Sequence, residues 1–332
     1  MVLDMTVLVT GGAGYIGSHI AYELVDRGEA VVVLDNLATG FRDAVPAAAE
    51  LVVGDIGDGP LVARLLSEHR IRAIVHLAAS SVVPESVANP LGYYSNNTAG
   101  SLALLKAAVQ AGVRHFVFSS TAAVYGNPET PLVSEDTLPR PMSPYGASKL
   151  MTEMMLKDAA SASELKYVVL RYFNVAGADP KLRTGQSTRA ATHLIKAAVQ
   201  AALGVRDRLA IFGTDYPTPD GTCVRDYIHV SDLVSAHVGA LGYLRDGGSN
   251  VLMNCGYGHG YSVREVVDAV KRVSGVDFAV EMQPRRPGDP ARIVADVQAI
   301  RRILSWTPAY DDLETIVRHA LAWERTLSAR KH

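Results

Sequence analysis

The feature that most constrains this chain is an alternation running through its first half. Short, continuous runs of β-branched and aliphatic residues are separated by stretches with helical spacing. The runs are Val7-Leu8-Val9-Thr10, Ala30-Val31-Val32-Val33-Leu34, Leu51-Val52-Val53, Ala73-Ile74-Val75-His76-Leu77, His115-Phe116-Val117-Phe118-Ser119-Ser120 and Tyr167-Val168-Val169-Leu170-Arg171. After the first run, Ile16, Ile20, Leu24 and Val25 share one helical face, and Gly28 fits the helix end. Further helices are expected over 59–69, over 92–111 with Gly112 closing it, and over 145–160. A strand that is apolar at every position is buried on both faces, so helices must cover both sides of a parallel sheet. Right-handed crossovers then give an α/β, doubly wound sheet.

Past residue 175 the rhythm loosens. Stretches 176–190 and 213–222 are rich in Gly, Asp, Thr, Arg or Pro and read as loops over a site, with helices expected at 191–204 and 262–274. A chain of 332 residues accommodates this smaller C-terminal lobe at 176–332, with a return to the sheet domain near 224–247. A net charge of −2 offers no clustered basic surface for nucleic acid. Two cysteines, Cys223 and Cys255, are too few for a disulfide framework and point to reduced thiols in a cytoplasm. They do not make a zinc site unaided, and no His pair stands at ligand spacing near them, so no metal is expected. Strand-like sequence begins by Thr6, too early for a secretory signal, and no apolar run approaches the ~18–20 residues of a membrane span.

The first strand ends in Gly11-Gly12-Ala13-Gly14-Tyr15-Ile16-Gly17, and a helix follows. Glycines at 11, 14 and 17 let the backbone turn tightly against a pyrophosphate, whose charge a helix N-terminus favours. Asp35 ends the second strand. Its carboxylate can accept bonds from ribose hydroxyls and would repel a 2′-phosphate, which favours NAD over NADP. Residues 1–175 therefore read as an NAD-binding Rossmann domain. Asp55-Ile56, after the third strand, is placed to frame the adenine, although an aspartate there can also simply cap a loop.

Tyr145 and Lys149 stand four apart in Ser143-Pro144-Tyr145-Gly146-Ala147-Ser148-Lys149 and share a helix face. A phenol is a weak base at neutral pH, but a nearby ammonium and a positive nicotinamide ring stabilise phenolate. Tyr145 could then remove a proton from a substrate hydroxyl. Lys149 would also hold the nicotinamide ribose, and Thr121, after Ser119-Ser120 at a strand end, can bond the reacting oxygen. Alone, Tyr-x-x-x-Lys is common on solvated helix faces; behind a dinucleotide turn it reads as chemistry.

These features together resemble the extended short-chain dehydrogenase/reductase superfamily and, within it, the UDP-glucose (UDP-galactose) 4-epimerases. The similarity runs from about residue 7 to 324. It is carried by Leu34-Asp35-Asn36-Leu37, Tyr93-Tyr94-Ser95-Asn96-Asn97, Ala123-Val124-Tyr125-Gly126, Arg171-Tyr172-Phe173-Asn174, the stretch Leu209 to Thr218, Val224-Arg225-Asp226-Tyr227-Ile228-His229-Val230 and Pro284-Arg285-Arg286-Pro287-Gly288-Asp289. The resemblance implies that Tyr145 is the base, tuned by Lys149 and assisted by Thr121. It implies that NAD is held by Gly11, Gly14, Tyr15, Ile16, Gly17, Asp35, Asn36, Asp55 and Ile56, and bordered by Leu77, Ala78, Asn96, Ser119 and Phe173. It implies a UDP-sugar held by Asn174, His193, Arg225, Arg286 and Asp289, with Leu209, Ile211 and Phe212 along the uracil. A diphosphate suits guanidinium forks. The implied reaction oxidises the sugar at C4, turns the 4-keto sugar over and re-reduces it, with NAD resident throughout. Relatives pair helices like 92–111 and 145–160 across a two-fold axis, which implies a homodimer.

Four positions depart from the best-known bacterial pattern. Ser81 stands where a lysine often borders NAD, Thr121 replaces a serine, Cys223 replaces a glycine, and Ile293 stands where many members carry a tyrosine wall. A smaller wall would admit N-acetylated sugars. A 4,6-dehydratase needs an acid and base after the threonine, and Ala122-Ala123 supply neither. A sibling epimerase on UDP-glucuronate or a UDP-pentose differs only at sugar C6 and stays open. A non-catalytic NAD-binding regulator would be expected to lose the Tyr-Lys pair.

Overall fold

The computed structural model describes residues 6–130, 132–188, 192–286 and 289–329. Arg189 and Ala190 of the expected loop, Ala191 of the expected helix, and Pro287 and Gly288 of the Pro284–Asp289 stretch lie outside the described residues. Seven parallel strands form the main sheet: β1 (Val7–Thr10), β2 (Val31–Asp35), β3 (Glu50–Val53), β4 (Ala73–His76), β5 (His115–Thr121), β6 (Lys166–Tyr172) and β7 (Val251–Cys255). Their spatial order is β7-β6-β5-β4-β1-β2-β3, so the winding direction reverses between β1 and β4. A crevice opens beyond the carboxyl ends of the strands at such a reversal.

Alternate residues of each strand supply two different cores, as a period of two requires. Val7, Val9, Val31, Val33, Val75, Val117 and Val168 point to one face. There they meet Ile20, Ala21 and Leu24 of α1 (Tyr15–Asp26). Leu8, Val32, Leu34, Ile74, Phe116, Phe118 and Val169 point to the other. They meet α2 (Gly59–Glu68), α3 (Gly100–Gln110) and Leu156 of α4 (Pro144–Ser161).

The smaller lobe is built on α5 (Leu194–Ala202), α7 (Val263–Ser274) and α8 (Leu313–Ala329), which pack on one another. Between α5 and α7 in sequence, α6 (Val230–Arg245) returns to the main sheet and packs on α1, β5 and β6. Small sheets complete the lobe. Val224–Arg225 pairs with Arg292–Ala295 and Tyr261–Ser262, Tyr227–His229 pairs with Asn174–Ala176, and Val280–Gln283 pairs with Leu209–Phe212.

The expected helix over 92–111 is not regular. Pro90–Tyr93 is α-helical, Tyr94–Ala99 is a π-helical turn, and α3 follows. The wide turn has side-chain causes. Asn97 donates to the Ser80 carbonyl at 3.0 Å and accepts from the Ser80 amide at 2.8 Å, so it acts as an extra strand partner. It also donates to Ser148 of α4 at 3.0 Å, and the Ser101 hydroxyl donates to its carbonyl. Hydrophobic spacing does not register such a widening, because both flanking segments keep their apolar faces.

At the start of α1 two glycines decide how the helix docks. Gly11 has φ +70°, and a Cβ there would lie 2.7 Å from the Ala78 amide nitrogen. A Cβ on Gly17 would lie 2.1 Å from the Gly11 carbonyl oxygen. Alanine inside a helix is otherwise favoured over glycine by about 1 kcal/mol, but this overlap is with backbone that has nowhere to move. Gly17→Ala is therefore expected to lower stability by about 1–3 kcal/mol, read as an earlier urea midpoint at unchanged slope.

Candidate active site

The sequence candidates of the first domain gather along the carboxyl edge of the sheet. The Gly11–Gly17 turn follows β1, Asp35 ends β2, Asp55 follows β3, Leu77 and Ala78 follow β4, Thr121 ends β5 and Phe173 follows β6. Gly14 caps α1 without any side-chain bond, and no acidic residue stands in the first turn. The helix N-terminus is thus left open to an anion. Asp35 is buried, with Oδ2 accepting from the Ala13 amide at 2.9 Å and Oδ1 from the Leu37 amide at 2.8 Å. One carboxylate therefore shapes the glycine turn and keeps free lone pairs for a ribose. Asn36 donates to Asp55 Oδ2 at 2.9 Å, and both side chains are exposed, while Ile56 is buried beneath them. Tyr15 opens α1 but sends its phenol to the Gly177 carbonyl at 2.7 Å, and Ile16 packs on the core.

A directional hydrogen-bond chain underlies the β4 end. The Ala78 amide donates to Thr10 Oγ1, Thr10 lies 2.7 Å from His76 Nδ1, and His76 Nε2 lies 2.9 Å from Ser101 Oγ. Because Ser101 donates onward to Asn97, His76 donates from Nε2, and in the neutral ring Nδ1 then accepts from Thr10. Burial pushes the ring's pKa down to about 3. Asn96 donates to Ser80 Oγ at 3.1 Å and to Asn97 Oδ1 at 3.0 Å.

Tyr145, Lys149 and Thr121 come together at the end of β5. Ser143 caps α4 by accepting from the Gly146 amide at 3.2 Å, with Pro144 at the first position. A Cβ on Gly146 would lie 2.6 Å from the Ala123 carbonyl, so glycine beside Tyr145 lets the helix press against the turn after Thr121. Burial raises the Tyr145 phenol, and a hydrogen bond with the Thr121 side chain opposes this. Thr121 also accepts from the Ala123 amide at 3.1 Å. Lys149 is only 3% exposed; its Nζ donates to the Ser119 carbonyl at 2.9 Å and lies 4.9 Å from the centre of the Phe118 ring. Burial pushes its pKa down to about 7, and Glu153 works against that. The Ser119 hydroxyl faces away, 2.6 Å from His237 Nε2 of α6.

The lobe supplies the remaining candidates. Arg225 donates to Asp289 at 2.6 Å and to the Val224 carbonyl at 2.8 Å, so its guanidinium is held in place. Arg286 is exposed and lies 3.8 Å from the centre of the Phe212 ring. Phe212 is half-buried at the end of the strand that also carries the buried Leu209 and Ile211. Asn174 and His193 line a shallow cleft with Gln186, Tyr227 and Trp323. His193 is fixed by Gln186 at 2.8 Å. Cys223 and Ile293 are buried, Ile293 is the register partner of Arg225, and Ser81 is exposed. Cys223 lies within electrostatic range of Arg225, Asp289 and Arg286.

Residues 7–256 match the NAD dependent epimerase/dehydratase family. The chain belongs to that family. It is 60% identical over 97% of its length to a UDP-glucose 4-epimerase of Azospirillum brasilense, of which it covers 92%. A UDP-glucose 4-epimerase of Brucella ovis in complex with NAD aligns with a TM-score of 0.93 at 44% identity, covering 96% of this chain and 98% of that one. A UDP-Glc/GlcNAc 4-epimerase of Campylobacter jejuni aligns with a TM-score of 0.86 at 49% identity, covering 97% and 99%.

The residues present fit the family's cofactor. The cradle of Gly11 against Ala78 would be filled by any Cβ, the α1 terminus is uncapped, and the acidic group sits at the end of β2 rather than an arginine. Several residues of this site were not singled out from sequence. Asn97, Ser148 and Ser80 form one bonded set, and Thr10, His76 and Ser101 form the chain below it. The adjacent pair Asn96-Asn97 was the one visible signal, since a regular helix would point the two side chains in different directions.

Lys149 has a measurable consequence for stability. Its folded pKa, about 7, lies below the ordinary lysine value, so the unfolded chain binds more protons between the two. Stability therefore rises with pH through that window. Urea unfolding of the cofactor-free protein from pH 7 to 10 is expected to reveal this rise, and Lys149→Met is expected to abolish its share of it.

Proposed function

We propose that this enzyme interconverts UDP-glucose and UDP-galactose by NAD-dependent epimerisation at C4. The observation that carries this reading is the buried Tyr145–Thr121–Lys149 group at the carboxyl edge beside the open glycine turn. The relatives named above support it across nearly the whole chain. When bound, NAD supplies the two-electron acceptor for oxidation at C4 and returns the same electrons on re-reduction. Gly11, Gly14, Tyr15, Ile16 and Gly17 would hold its pyrophosphate, Asp35, Asn36, Asp55 and Ile56 its adenosine half, and Leu77, Ala78, Asn96, Lys149, Phe173 and, through its backbone alone, Ser119 its nicotinamide half.

Tyr145 accepts the proton of the sugar 4-hydroxyl, and Thr121 bonds the same oxygen. Lys149 offsets the charge that forms on the phenol, which the dry surroundings would otherwise oppose. Arg225 and Arg286 grip the diphosphate, Asp289 and Val224 keep Arg225 aimed, and Leu209, Ile211 and Phe212 line the uracil. Asn174 and His193 complete the nucleotide-sugar contacts. With the anchor on UDP, the 4-keto sugar turns about its link to the diphosphate, and Tyr145 returns its proton to O4 once the other face is presented.

Ile293 favours a second substrate. It lies beside Arg225 in the sheet register and is smaller than an aromatic wall, so UDP-N-acetylglucosamine would fit as well. The Campylobacter relative carries that double name. Two buried free cysteines fit a reducing cytoplasm, and the proposed reaction itself would place the enzyme in galactose metabolism. Among the described residues no helix is long and apolar enough to cross a membrane.

The test is conversion of UDP-galactose to UDP-glucose by the purified enzyme, run beside UDP-N-acetylglucosamine. Tyr145→Phe is expected to lower kcat by about 10²–10⁴-fold with UDP affinity retained. Normal turnover by that variant would remove Tyr145 from the mechanism.

A homodimer is the assembly that the outer face would support. Val87, Leu91, Leu102, Val109, Met151 and Met154 are 37–79% exposed on neighbouring helices, apolar side chains that a second copy would cover. Paired across a two-fold axis, α3 and α4 would bury it in a four-helix bundle. Light scattering on the Leu102→Glu/Met154→Glu variant is expected to give half the mass of the wild-type particle.

A further inference from the structure

Beneath Tyr145 and Lys149 lies a buried ion pair that the reaction above does not use. Glu153 stands one turn after Lys149 on α4 and is 6% exposed; Arg171 on β6 is 3% exposed. Arg171 Nε donates to Glu153 Oε1 at 3.0 Å, and Nη2 donates to Oε2 at 2.5 Å. The Ser120 hydroxyl also donates to Oε1. Ser120 immediately precedes Thr121, and Arg171 is its register partner across the sheet. The Arg171 guanidinium carbon lies 4.8 Å from the centre of the Tyr125 ring, in the turn that follows Thr121. Tyr125 is fixed in turn by Asn254 at 2.7 Å.

Taking two charges out of water is costly, and an apolar pair would hold helix to strand at lower cost. A charged clamp at this depth therefore calls for something that depends on charge, and Lys149 is that group. The groups around Lys149 come from four elements. α4 offers the Tyr145 phenol and Glu153. β4 offers His76, neutral by burial. β5 offers the Ser119 carbonyl and the Phe118 ring. β6 offers Arg171, already bound by Glu153, while the neutral phenol of Tyr172 beside it faces Tyr145. Among the described residues in this set, Glu153 is the anion, and it is what favours the charged amine against its burial.

We propose that Glu153, clamped by Arg171 and Ser120, is the positioning residue of this site: it keeps the Lys149 amine charged and holds the Thr121 strand end against the helix that carries Tyr145. This rests on the reading of Tyr145 and Lys149 as the proton-transfer pair. One carboxylate thereby ties both halves of that pair to the sheet. Ser120 fixes the strand, the helix backbone carries Lys149 one turn away, and Arg171 locks the carboxylate plane with two parallel bonds.

Two measurements test it. In protein whose lysines carry ¹³C at Cε, the resonance lost in Lys149→Met reports that amine directly. Glu153→Gln is expected to lower its titration midpoint by about one pH unit or more, with the other lysines unmoved; an unchanged midpoint overturns the proposal. In the UDP-galactose assay, Glu153→Gln is expected to lose kcat on the alkaline side, about tenfold for each unit the midpoint moves, and to approach wild type toward acid pH at unchanged KM. A loss equal at every pH marks a purely structural defect and overturns it as well. Glu153→Asp is expected to recover part of the midpoint shift. Should Glu153→Gln fail to fold, Glu153→Gln/Arg171→Met removes both charges together; a smaller downward shift is then expected, because loss of the Arg171 cation offsets part of the loss of the carboxylate, and an unchanged or raised midpoint overturns the proposal. A wild-type enzyme that leaves UDP-galactose unchanged refutes the proposed function, while the lysine titration still decides the role of Glu153.

Discussion

Lys149 carries an amine into a place that water does not reach, and the carboxyl end of β5 is arranged around that fact. A buried amine of this kind tends to lose its proton. Here the Ser119 carbonyl, the Phe118 ring and the Glu153 carboxylate surround it and oppose that loss. The same burial keeps the neighbouring Tyr145 phenol neutral at rest. In the proposed reaction, proton transfer at the sugar therefore depends on charges held at fixed distances, and each of those distances is set by α4 lying against β5 and β6.

Parallel strands place every one of their carboxyl ends on the same edge. That is why residues as distant in sequence as Gly11, Ala78, Thr121 and Phe173 border one crevice. The reversal of winding between β1 and β4 leaves the crevice open instead of filled by a crossover helix. The lobe then closes it from above with short strands, and Tyr15 and Ser18 of α1 bond Gly177 and Thr184 of the loop that leads into it. The helix after the glycine turn and the smaller lobe are thus in direct contact.

Much of the fold was legible because burial on both faces leaves a plain mark: strands such as Val31–Asp35 have no polar alternation. The regular helix expected over 92–111 was not found. Its π-helical turn depends on Asn97 reaching Ser80 and Ser148, which are remote in sequence, and local spacing carries no trace of such contacts. Asp35 was legible as an acidic group at the end of β2. Its second task, fixing the glycine turn through the Ala13 amide, was not, because that bond exists only once β1 and β2 lie side by side.

The sequence by itself determined the sheet, the glycine turn and the Tyr145–Lys149 spacing, since each follows from local backbone preference and from periods of two and 3.6 residues. It also carried the motifs that resemble UDP-sugar epimerases. Tertiary structure alone decided which charges meet. Glu153 and Arg171 are ordinary residues of an amphipathic helix and a strand until α4 docks on β6. Their pairing, and its hold on Lys149 and Thr121, arises because electrostatic strength depends on distance and on exclusion of water, and neither quantity exists before the chain has packed.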